Sequence, residues 1–283
     1  MSDFGGAIKS VQEFPDYQIG LIGIPFDEKS SYLRGAAAGP AAIREASTAK
    51  CYNSFTEFGL DLEKDTVMVD LGDVDTSGDV ETSFSRAELA VLDILNKEAV
   101  PFILGGDHSI TYPVLKAFGK KYKRLDLLHF DAHPDLYDDL NGDRLSHACP
   151  MIRIMESGLV QNMVQVGIRA ATRQQRENAV KYGVRMIEML KVEEALSLKF
   201  KNPLYISFDL DALDPAFAPG VSNREAGGLS TRQAITIIQN LKAKIAGLDI
   251  VELNPSRDPS GITASVVFKL IKEVAGKIVK EGK

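Results

Sequence analysis

The chain has 283 residues, of which 45% are hydrophobic and 25% are charged, as is usual for a globular protein. Its net charge of −6 argues against nucleic acid or an anionic membrane as a partner, and no apolar run is long enough to span a bilayer. Residues Met1 to Phe14 lack the pattern of a signal peptide, and two cysteines are too few for a disulfide framework. The sequence therefore predicts a cytoplasmic protein. It also predicts one domain over residues 1–283, because no linker, repeat or low-complexity segment divides the chain.

Short apolar runs bounded by turn residues recur along the whole chain. Several are continuous runs of Val, Ile and Leu without alternation, which is typical of strands buried on both faces of a parallel sheet. The predicted strands lie near Gln18–Ile24, Thr66–Leu71, Pro101–Leu104, Asp126–Asp131, Met163–Ile168, Val184–Ile187, Leu204–Asp209 and Gly247–Leu253.

Helical periodicity appears between and after these strands. Ser83–Lys97 and Thr263–Lys280 each carry an apolar stripe, and Thr231–Leu241 follows Ser230, a suitable N-cap residue. Strands that alternate with helices predict an α/β fold in which helices cover both faces of a parallel sheet.

Acidic and imidazole side chains recur where three of the predicted strands end. Positions i, i+2 and i+4 of an extended chain point to one face, and parallel strands bring their carboxyl ends to one edge of the sheet. A lone Asp-x-Asp pair is more often a surface turn, but three segments at one edge favour a metal site. The candidate ligands are His108, Asp131, His133, Asp135, Asp209 and Asp211.

The chemistry of these side chains indicates which metal they bind. Four carboxylates crowded at one edge would repel one another unless cations lay among them, and two divalent ions neutralise four negative charges. The cluster has no cysteine, which argues against structural zinc, and carboxylates with imidazoles suit Mn²⁺, although other divalent ions remain open. Two ions about 3.5–4 Å apart can hold a hydroxide ion between them at neutral pH.

Three further side chains are candidates for roles around the metals. His147 lies in a loop, where it is either a surface histidine or the general acid that a hydrolase expelling an amine requires. Glu252 ends an apolar run, where it is either a structural carboxylate or the partner of a cationic substrate. His129, inside a predicted strand, is interpreted as a buried histidine that hydrogen-bonds near the ligands.

Four motifs, in this order, resemble the signatures of the arginase/agmatinase (ureohydrolase) family. They are Gly105-Gly106-Asp107-His108-Ser109, Asp131-Ala132-His133-Pro134-Asp135, Ser146-His147 and the segment from Ser207 to Pro215. The likeness runs from about Ile19 to Ile278, and stretches such as Arg153-Ile154-Met155-Glu156 are most similar to the plant-type arginase and agmatinase branch.

The resemblance implies a three-layer α-β-α fold with an eight-stranded parallel sheet and two Mn²⁺ ions per subunit. It implies that Asp131 and Asp209 bridge the ions, with His108 and Asp135 completing one site and His133 and Asp211 the other. It further implies hydrolysis of a small cationic guanidino substrate to urea and an amine in a homotrimer or homohexamer. Asp135, His147 and Glu252 are the implied catalytic residues: His147 shuttles protons, and Glu252 pairs with the guanidinium.

The substrate is less determined than the reaction. Where animal-type arginases carry an Asn and a Ser that hold the amino-acid end of arginine, this chain has Tyr137 and Asp143. The acidic loop with Asp138, Asp139 and Asp143 would attract the ammonium group of agmatine, or is merely solvated. The interpretation favours agmatine and a role in polyamine biosynthesis. Arginine is the alternative, because Arg224 would suit a carboxylate.

Other functional classes remain open. Another guanidino or formimino compound would use the same metal core with a different pocket. A non-catalytic binding member of the family is disfavoured, because all six ligands and the residues assigned to catalysis are present.

Overall fold

One parallel sheet of nine strands runs through the computed structural model, which describes residues 4–49 and 51–282. Every pairing between neighbouring strands of the described chain is parallel, and the order across the sheet is β1-β3-β2-β4-β9-β8-β5-β6-β7. In chain order, β1 to β9 are Ile8–Lys9, Ile19–Ile24, Met68–Asp73, Val100–Gly105, Asp126–Phe130, Asn162–Ile168, Arg185–Glu188, Leu204–Asp209 and Ile245–Val251.

Eight α-helices in the described chain pack against the two faces of this sheet. In chain order, α1 to α8 are Gly39–Ser47, Leu62–Asp65, Val80–Asn96, Thr111–Lys121, Pro150–Glu156, Arg173–Tyr182, Thr231–Asn240 and Ile262–Gly282. None of these helices combines the length and the hydrophobicity that crossing a membrane requires.

Alternate residues of each strand enter two different hydrophobic cores. Phe102 and Leu104 of β4 pack with α1, α7 and α8, whereas Ile103 between them packs with α3, α4 and α5. Because both faces of the sheet are covered, its strands are apolar throughout. The three-layer α-β-α fold that the resemblance implies is therefore confirmed.

The predicted strands are all present, with ends that differ by at most two residues. The ninth strand is β1, whose Ile8 and Lys9 pair with Met68 and Val69 of β3. Two residues are too few to show a hydrophobic pattern, which is why the sequence does not reveal this edge strand. Ser230 caps α7 as predicted, and its hydroxyl accepts a hydrogen bond from the backbone of Gln233.

Four strands at the centre of the sheet, β4, β9, β8 and β5, are direct neighbours. Their carboxyl ends are Gly105, Val251, Asp209 and Phe130. The predicted ligands and Glu252 belong to these ends or to the residues just after them, so the topology brings distant segments of the chain to one edge.

Candidate metal centre

The first group of predicted ligands surrounds one nitrogen of His108. Its Nδ1 lies 3.2 Å from Oδ2 of Asp131, 3.0 Å from Oδ2 of Asp135 and 3.2 Å from Oδ2 of Asp209. All four side chains are buried. Three carboxylate oxygens and one imidazole nitrogen therefore converge on a common point.

The second group shares Asp131 with the first. Nδ1 of His133 lies 3.4 Å from Oδ1 of Asp131 and 3.0 Å from Oδ2 of Asp211. Asp131 thus presents one oxygen to each histidine, which is the arrangement that a carboxylate bridging two ions requires. His133 is the most accessible of these residues, and Glu225, which the sequence does not single out, lies 3.5 Å from its Nε2.

The convergence depends on loop backbone as well as on strands. Strand β5 ends at Phe130, before the predicted Asp-x-His-x-Asp ligands, so the alternation of an extended strand does not place them. Asp135 has a φ of 52° and Glu252 a φ of 67°, both in the left-handed region that side chains other than glycine rarely adopt. Such conformations are concentrated at functional sites.

A chain of hydrogen bonds determines which nitrogen of His108 is free. Asp249, fully buried, accepts hydrogen bonds from the hydroxyls of Thr111, Tyr205 and Ser207. Because the Ser207 hydroxyl donates to Asp249, its oxygen accepts from Nε2 of His108, at 2.9 Å. The proton of the neutral ring is therefore on Nε2, and Nδ1 carries a lone pair.

That lone pair is the strongest observation that the site fits a metal ion. Nδ1 of His108 is buried and has no hydrogen-bond partner, although three carboxylate oxygens lie close to it. A lone pair facing three acceptors is unfavourable unless a proton or a cation lies between them. The donor set of carboxylates and one imidazole is one that divalent first-row ions prefer.

His129 also lies within ligand distance of this cluster, because the buried groups that are close enough to hold an ion include His108, His129 and Asp131. Its Nδ1, however, accepts a hydrogen bond from Nε2 of Gln165, which also donates to the carbonyl of Pro134. The proton of His129 is then on Nε2, which donates to Oδ2 of Asp131 at 2.8 Å. His129 orients the bridging carboxylate and has no lone pair for a metal.

Burial and mutual repulsion shift the acid–base equilibria of the cluster. Burial and the neighbouring Asp211 and Asp131 carboxylates raise the pKa of Asp209 well above its usual value. Burial raises the pKa of Asp211 to about 6, although His133 opposes the shift. Without a cation the cluster favours added protons, so bound divalent ions would replace protons.

Both further catalytic candidates lie beside this cluster and contact each other. Nδ1 of His147 is 2.8 Å from Oε1 of Glu252, and the same oxygen accepts a hydrogen bond from the backbone N–H of His108. On the other side of the ring, Nε2 of His147 contacts Ser31. His147 and Glu252 are both buried, and both line the cavity above the metal ligands.

The remaining wall of that cavity is neutral. Besides the acidic cluster and its histidines, the lining includes Ser31, Tyr137, Gln175 and Asn223. No lysine or arginine of the described residues contributes to it.

The acidic loop does not face the cavity. Asp143 pairs with Lys29, Asp138 accepts from Gln174, and Asp139 caps a turn at Gly142. None of the three carboxylates lines the cavity, so the structure favours the alternative of a solvated acidic loop over recognition of an ammonium group.

Arg224 does not face the cavity either. Its guanidinium donates to the carbonyls of Pro219 and Arg257, and Arg224 is absent from the lining. The structure therefore gives no support to Arg224 as a partner for a substrate carboxylate.

Sequence reasoning identified His129 but missed the other residues that orient the ligands. Ser207 precedes Asp209 by two residues in β8, and Asp249 is an acidic residue within the apolar strand β9. An acid inside a continuous apolar run is a usable signal, because a buried charge requires partners. Gln165 is likewise a polar residue within the apolar strand β6, and a buried amide also requires hydrogen-bond partners.

Comparisons with known proteins agree with this geometry. A model of the arginase family matches residues 17–276. Arginase 1, mitochondrial, from Arabidopsis thaliana is 42% identical over 92% of this chain and 81% of its own, and an agmatinase from Bacillus cereus is 33% identical over 94% of each. The solved arginase from Medicago truncatula superimposes with a TM-score of 0.89 at 41% identity, covering 93% of this chain and 88% of its own.

Proposed function

The chain belongs to the arginase family of metal-dependent amidinohydrolases, and from that premise we propose that it hydrolyses a cationic guanidino substrate to urea and an amine. The observation that supports this most strongly is the unpartnered Nδ1 of His108, which faces three carboxylate oxygens beneath a cavity bordered by Glu252 and His147. One site would then provide metal ligands, a carboxylate and an acid–base group.

Two divalent ions, which we propose to be Mn²⁺, fit the donors that the chain offers. His108, Asp131, Asp135 and Asp209 would hold one ion, and His133, Asp131, Asp209 and Asp211 the other. When bound, two such ions lower the pKa of a water molecule and so supply a nucleophile at neutral pH.

The other steps belong to side chains of the protein. Glu252 is buried and accepts hydrogen bonds from His147 and from the backbone of His108, so its carboxylate is held in place for a guanidinium. His147 hydrogen-bonds to the same carboxylate, which places its ring where a departing nitrogen would need a proton. Enclosing both groups in a cavity strengthens their interaction with a cationic substrate.

We propose agmatine as the substrate and arginine as the second candidate. The absence of any lysine or arginine among the cavity-lining residues that the structure describes supports agmatine, which has no carboxylate. The relatives support arginine, because the Arabidopsis relative named an arginase is 42% identical to this chain and the Bacillus cereus relative named an agmatinase is 33% identical.

Urea release by protein loaded with Mn²⁺ tests the reaction and the substrate together. Agmatine, L-arginine and other guanidino acids are supplied at matched concentrations, with metal-free protein as the control. Faster release from agmatine supports the substrate proposal, and faster release from arginine replaces it with the second candidate. No urea from any guanidine, with both metal sites filled, would contradict the proposed reaction.

His147→Asn tests the assignment of the proton-transferring group. The variant should keep both metal ions, because no predicted ligand is altered, and should turn over at least about a hundredfold more slowly. Metal content and urea release are measured on the same preparation. An unchanged rate would remove His147 from the reaction.

Three properties of the whole protein complete the proposal. The chain is one domain, it acts in the cytoplasm, and it assembles as a homotrimer or homohexamer. The Arabidopsis relative is named a mitochondrial arginase, so localisation needs its own test by fractionation. Light scattering during size-exclusion chromatography measures the assembly.

A further inference from the structure

We propose that Ser31 is a positioning residue that fixes the tautomer of His147 and links its buried ring to bulk water. The inference rests on the proposed function, because it concerns proton transfer to the departing amine. Ser31 lies in the loop that follows β2, far in sequence from both the metal ligands and His147.

Two donors of Ser31 meet the same nitrogen. The backbone N–H of Ser31 lies 3.1 Å from Nε2 of His147, and the Ser31 hydroxyl oxygen lies 2.7 Å from it. A backbone N–H can only donate, so Nε2 must carry a lone pair. The proton of the neutral ring is then on Nδ1, where it points at Oε1 of Glu252, 2.8 Å away.

The hydrogen-bonded series Glu252–His147–Ser31 is buried at one end and exposed to solvent at the other. His147 is 7% exposed and Glu252 is 6% exposed, whereas Ser31 lies at the surface. The Ser31 hydroxyl therefore contacts the buried ring, and the residue that carries it is exposed to solvent. A hydroxyl both accepts and donates, so it can pass a proton between water and Nε2.

The position of Ser31 is held by its neighbours. The carboxylate of Asp107, which is fully buried, accepts from the backbone N–H of Lys29 and from the hydroxyl of Ser30. The Lys29 carbonyl accepts from the backbone N–H of His147, and the Lys29 ammonium group pairs with Asp143. The segment 29–31 is thus attached both to the ligand-bearing turn and to the loop that carries His147.

The carboxylates around His147 and the Ser31 N–H have opposite effects on the protonation of the ring. Burial disfavours the protonated ring, but Glu252, Asp135 and Asp107 together raise the pKa of His147 to about 9. The Ser31 N–H acts in the opposite direction, because it would face a proton on Nε2 of the charged ring. Opposed effects of this kind allow a ring to accept a proton and to release it again.

The contact between Ser31 and His147 can serve the proton transfers that hydrolysis requires. A guanidinium ion and one water molecule yield urea and an ammonium ion, so the departing nitrogen gains two protons, which equal the two that the attacking water loses. One of these protons passes within the site from the attacking oxygen to the departing nitrogen, and His147 supplies the other from Nδ1 while Nε2 takes a proton from water through the Ser31 hydroxyl. The ring is reset when Nδ1 takes the remaining proton of an attacking water and Nε2 returns its proton through Ser31, so the original tautomer is restored and no net proton is gained.

Ser31→Ala removes the hydroxyl and leaves the backbone N–H in place. The expected result is a kcat roughly tenfold lower, a KM within about twofold of the wild type, and recovery of rate in concentrated imidazole buffer. Ser31→Thr, which keeps a hydroxyl, should restore most of kcat. Ser30→Ala is the matched control, because the Ser30 hydroxyl makes only a long contact of 3.4 Å with Asp107 and the Lys29 N–H still holds the segment on that carboxylate.

A raised KM with unchanged kcat in Ser31→Ala would overturn the proposal, because it would mean that Ser31 contributes only to binding. Loss of rate that buffer does not restore, or equal loss in Ser30→Ala, would overturn it as well. In each case the effect would come from packing and not from proton transfer.

A spectroscopic measurement tests the tautomer without relying on turnover. The chain has four histidines, so ¹⁵N resonances of the imidazoles can be assigned by comparison with His147→Asn. At a pH high enough for the His147 imidazole to be neutral, the metal-loaded wild type should show His147 with a proton on Nδ1 and none on Nε2. A proton on Nε2 would refute the positioning role. If the wild type releases no urea from any guanidine, the proposed reaction fails, and this measurement still decides the tautomer.

Discussion

At His108, one serine hydroxyl and three carboxylate oxygens contact opposite nitrogens of the same ring. The position of the ring proton therefore depends on Asp249, which accepts a hydrogen bond from the Ser207 hydroxyl but does not touch the histidine. Nδ1 of His108 is available to a metal ion only while His108 donates to Ser207 and Ser207 donates to Asp249.

Asp249→Asn should reverse that direction. The new amide donates to Ser207, which then donates to Nε2 of His108 and moves the ring proton to Nδ1. Metal affinity should fall about 10–100-fold, as is usual when a residue that orients a ligand is lost. Titration of metal-free protein with Mn²⁺ measures this fall.

Tyr205→Phe is the control for Asp249→Asn, because it removes one donor to Asp249 and leaves the charge and Ser207 in place. Its effect on metal affinity should be the smaller of the two. Equal affinity in Asp249→Asn and the wild type would show that the chain of donors does not act on His108.

Asp131→Asn should abolish binding of at least one ion and nearly all urea release, because one bridging charge is lost. The metal content of the purified variant is measured by mass spectrometry and compared with that of Asp138→Asn. Asp138 lies in the acidic loop and outside the cavity, so its substitution should leave the metal content unchanged. Two ions per subunit in Asp131→Asn would refute the bridge.

For single residues, the sequence predicts which residue types lie together at the site, but not how their side chains are oriented. The alternating Asp131, His133 and Asp135 do lie together, yet β5 ends before them and Asp135 reaches the cluster through a left-handed backbone. Neither a φ of 52° nor the direction of the Ser207 hydrogen bond follows from residue spacing. Both depend on contacts with segments distant in the chain.

The turn between β4 and His108 has room only for glycine at position 106. Gly106 lies against the loop that follows β2, and a Cβ atom built on it would be 1.8 Å from the carbonyl oxygen of Phe26. The backbone N–H of Asp107 donates to that same carbonyl. Any side chain at position 106 would therefore push the ligand-bearing turn away from the sheet.

Gly106→Ala should destabilise the protein by about 3 kcal/mol or more and weaken metal binding, because the obstructing atom is backbone and cannot rotate away. Denaturant unfolding of the metal-free protein measures the change in free energy. Gly282→Ala is the control, since a Cβ atom there meets nothing within 4 Å. A variant at position 106 as stable as this control would contradict the close approach.

Strands and helices are the level at which sequence patterns succeed best. The continuous apolar runs predict buried strands because both faces of the sheet are covered, and β8 is buried throughout. The spatial order of the strands does not follow from the same patterns. That β9 lies between β4 and β8 depends on how the helices cross over, which residue periodicity does not specify.

For the whole molecule, the buried acidic cluster couples stability to metal. Burial raises the pKa of Asp211 to about 6, and burial together with the Asp211 and Asp131 carboxylates raises the pKa of Asp209 well above its usual value, so the metal-free fold contains carboxylates that repel one another. Ions that bind the folded state alone stabilise it by about 2.7 kcal/mol at a hundred times the dissociation constant.

Removal of metal by a chelator should therefore lower Tm by several degrees, and added Mn²⁺ should restore it. Differential scanning calorimetry measures both changes. Asp131→Asn serves as the control, because a protein that has lost at least one of the two ions should respond less to added metal. The same Tm with and without metal would contradict a coupling between the cluster and the fold.

The parallel sheet gives the molecule two unlike edges. Its carboxyl edge carries the acidic cluster, whereas the segments that lead into β5, β8 and β9 at the opposite edge carry the exposed lysines Lys123, Lys201 and Lys244. Reagents that attach proteins to a solid support through amines can react at this edge, whereas no lysine of the described residues lines the cavity. A protein immobilised there would be oriented with its cavity facing the solution, open to substrate and to added metal.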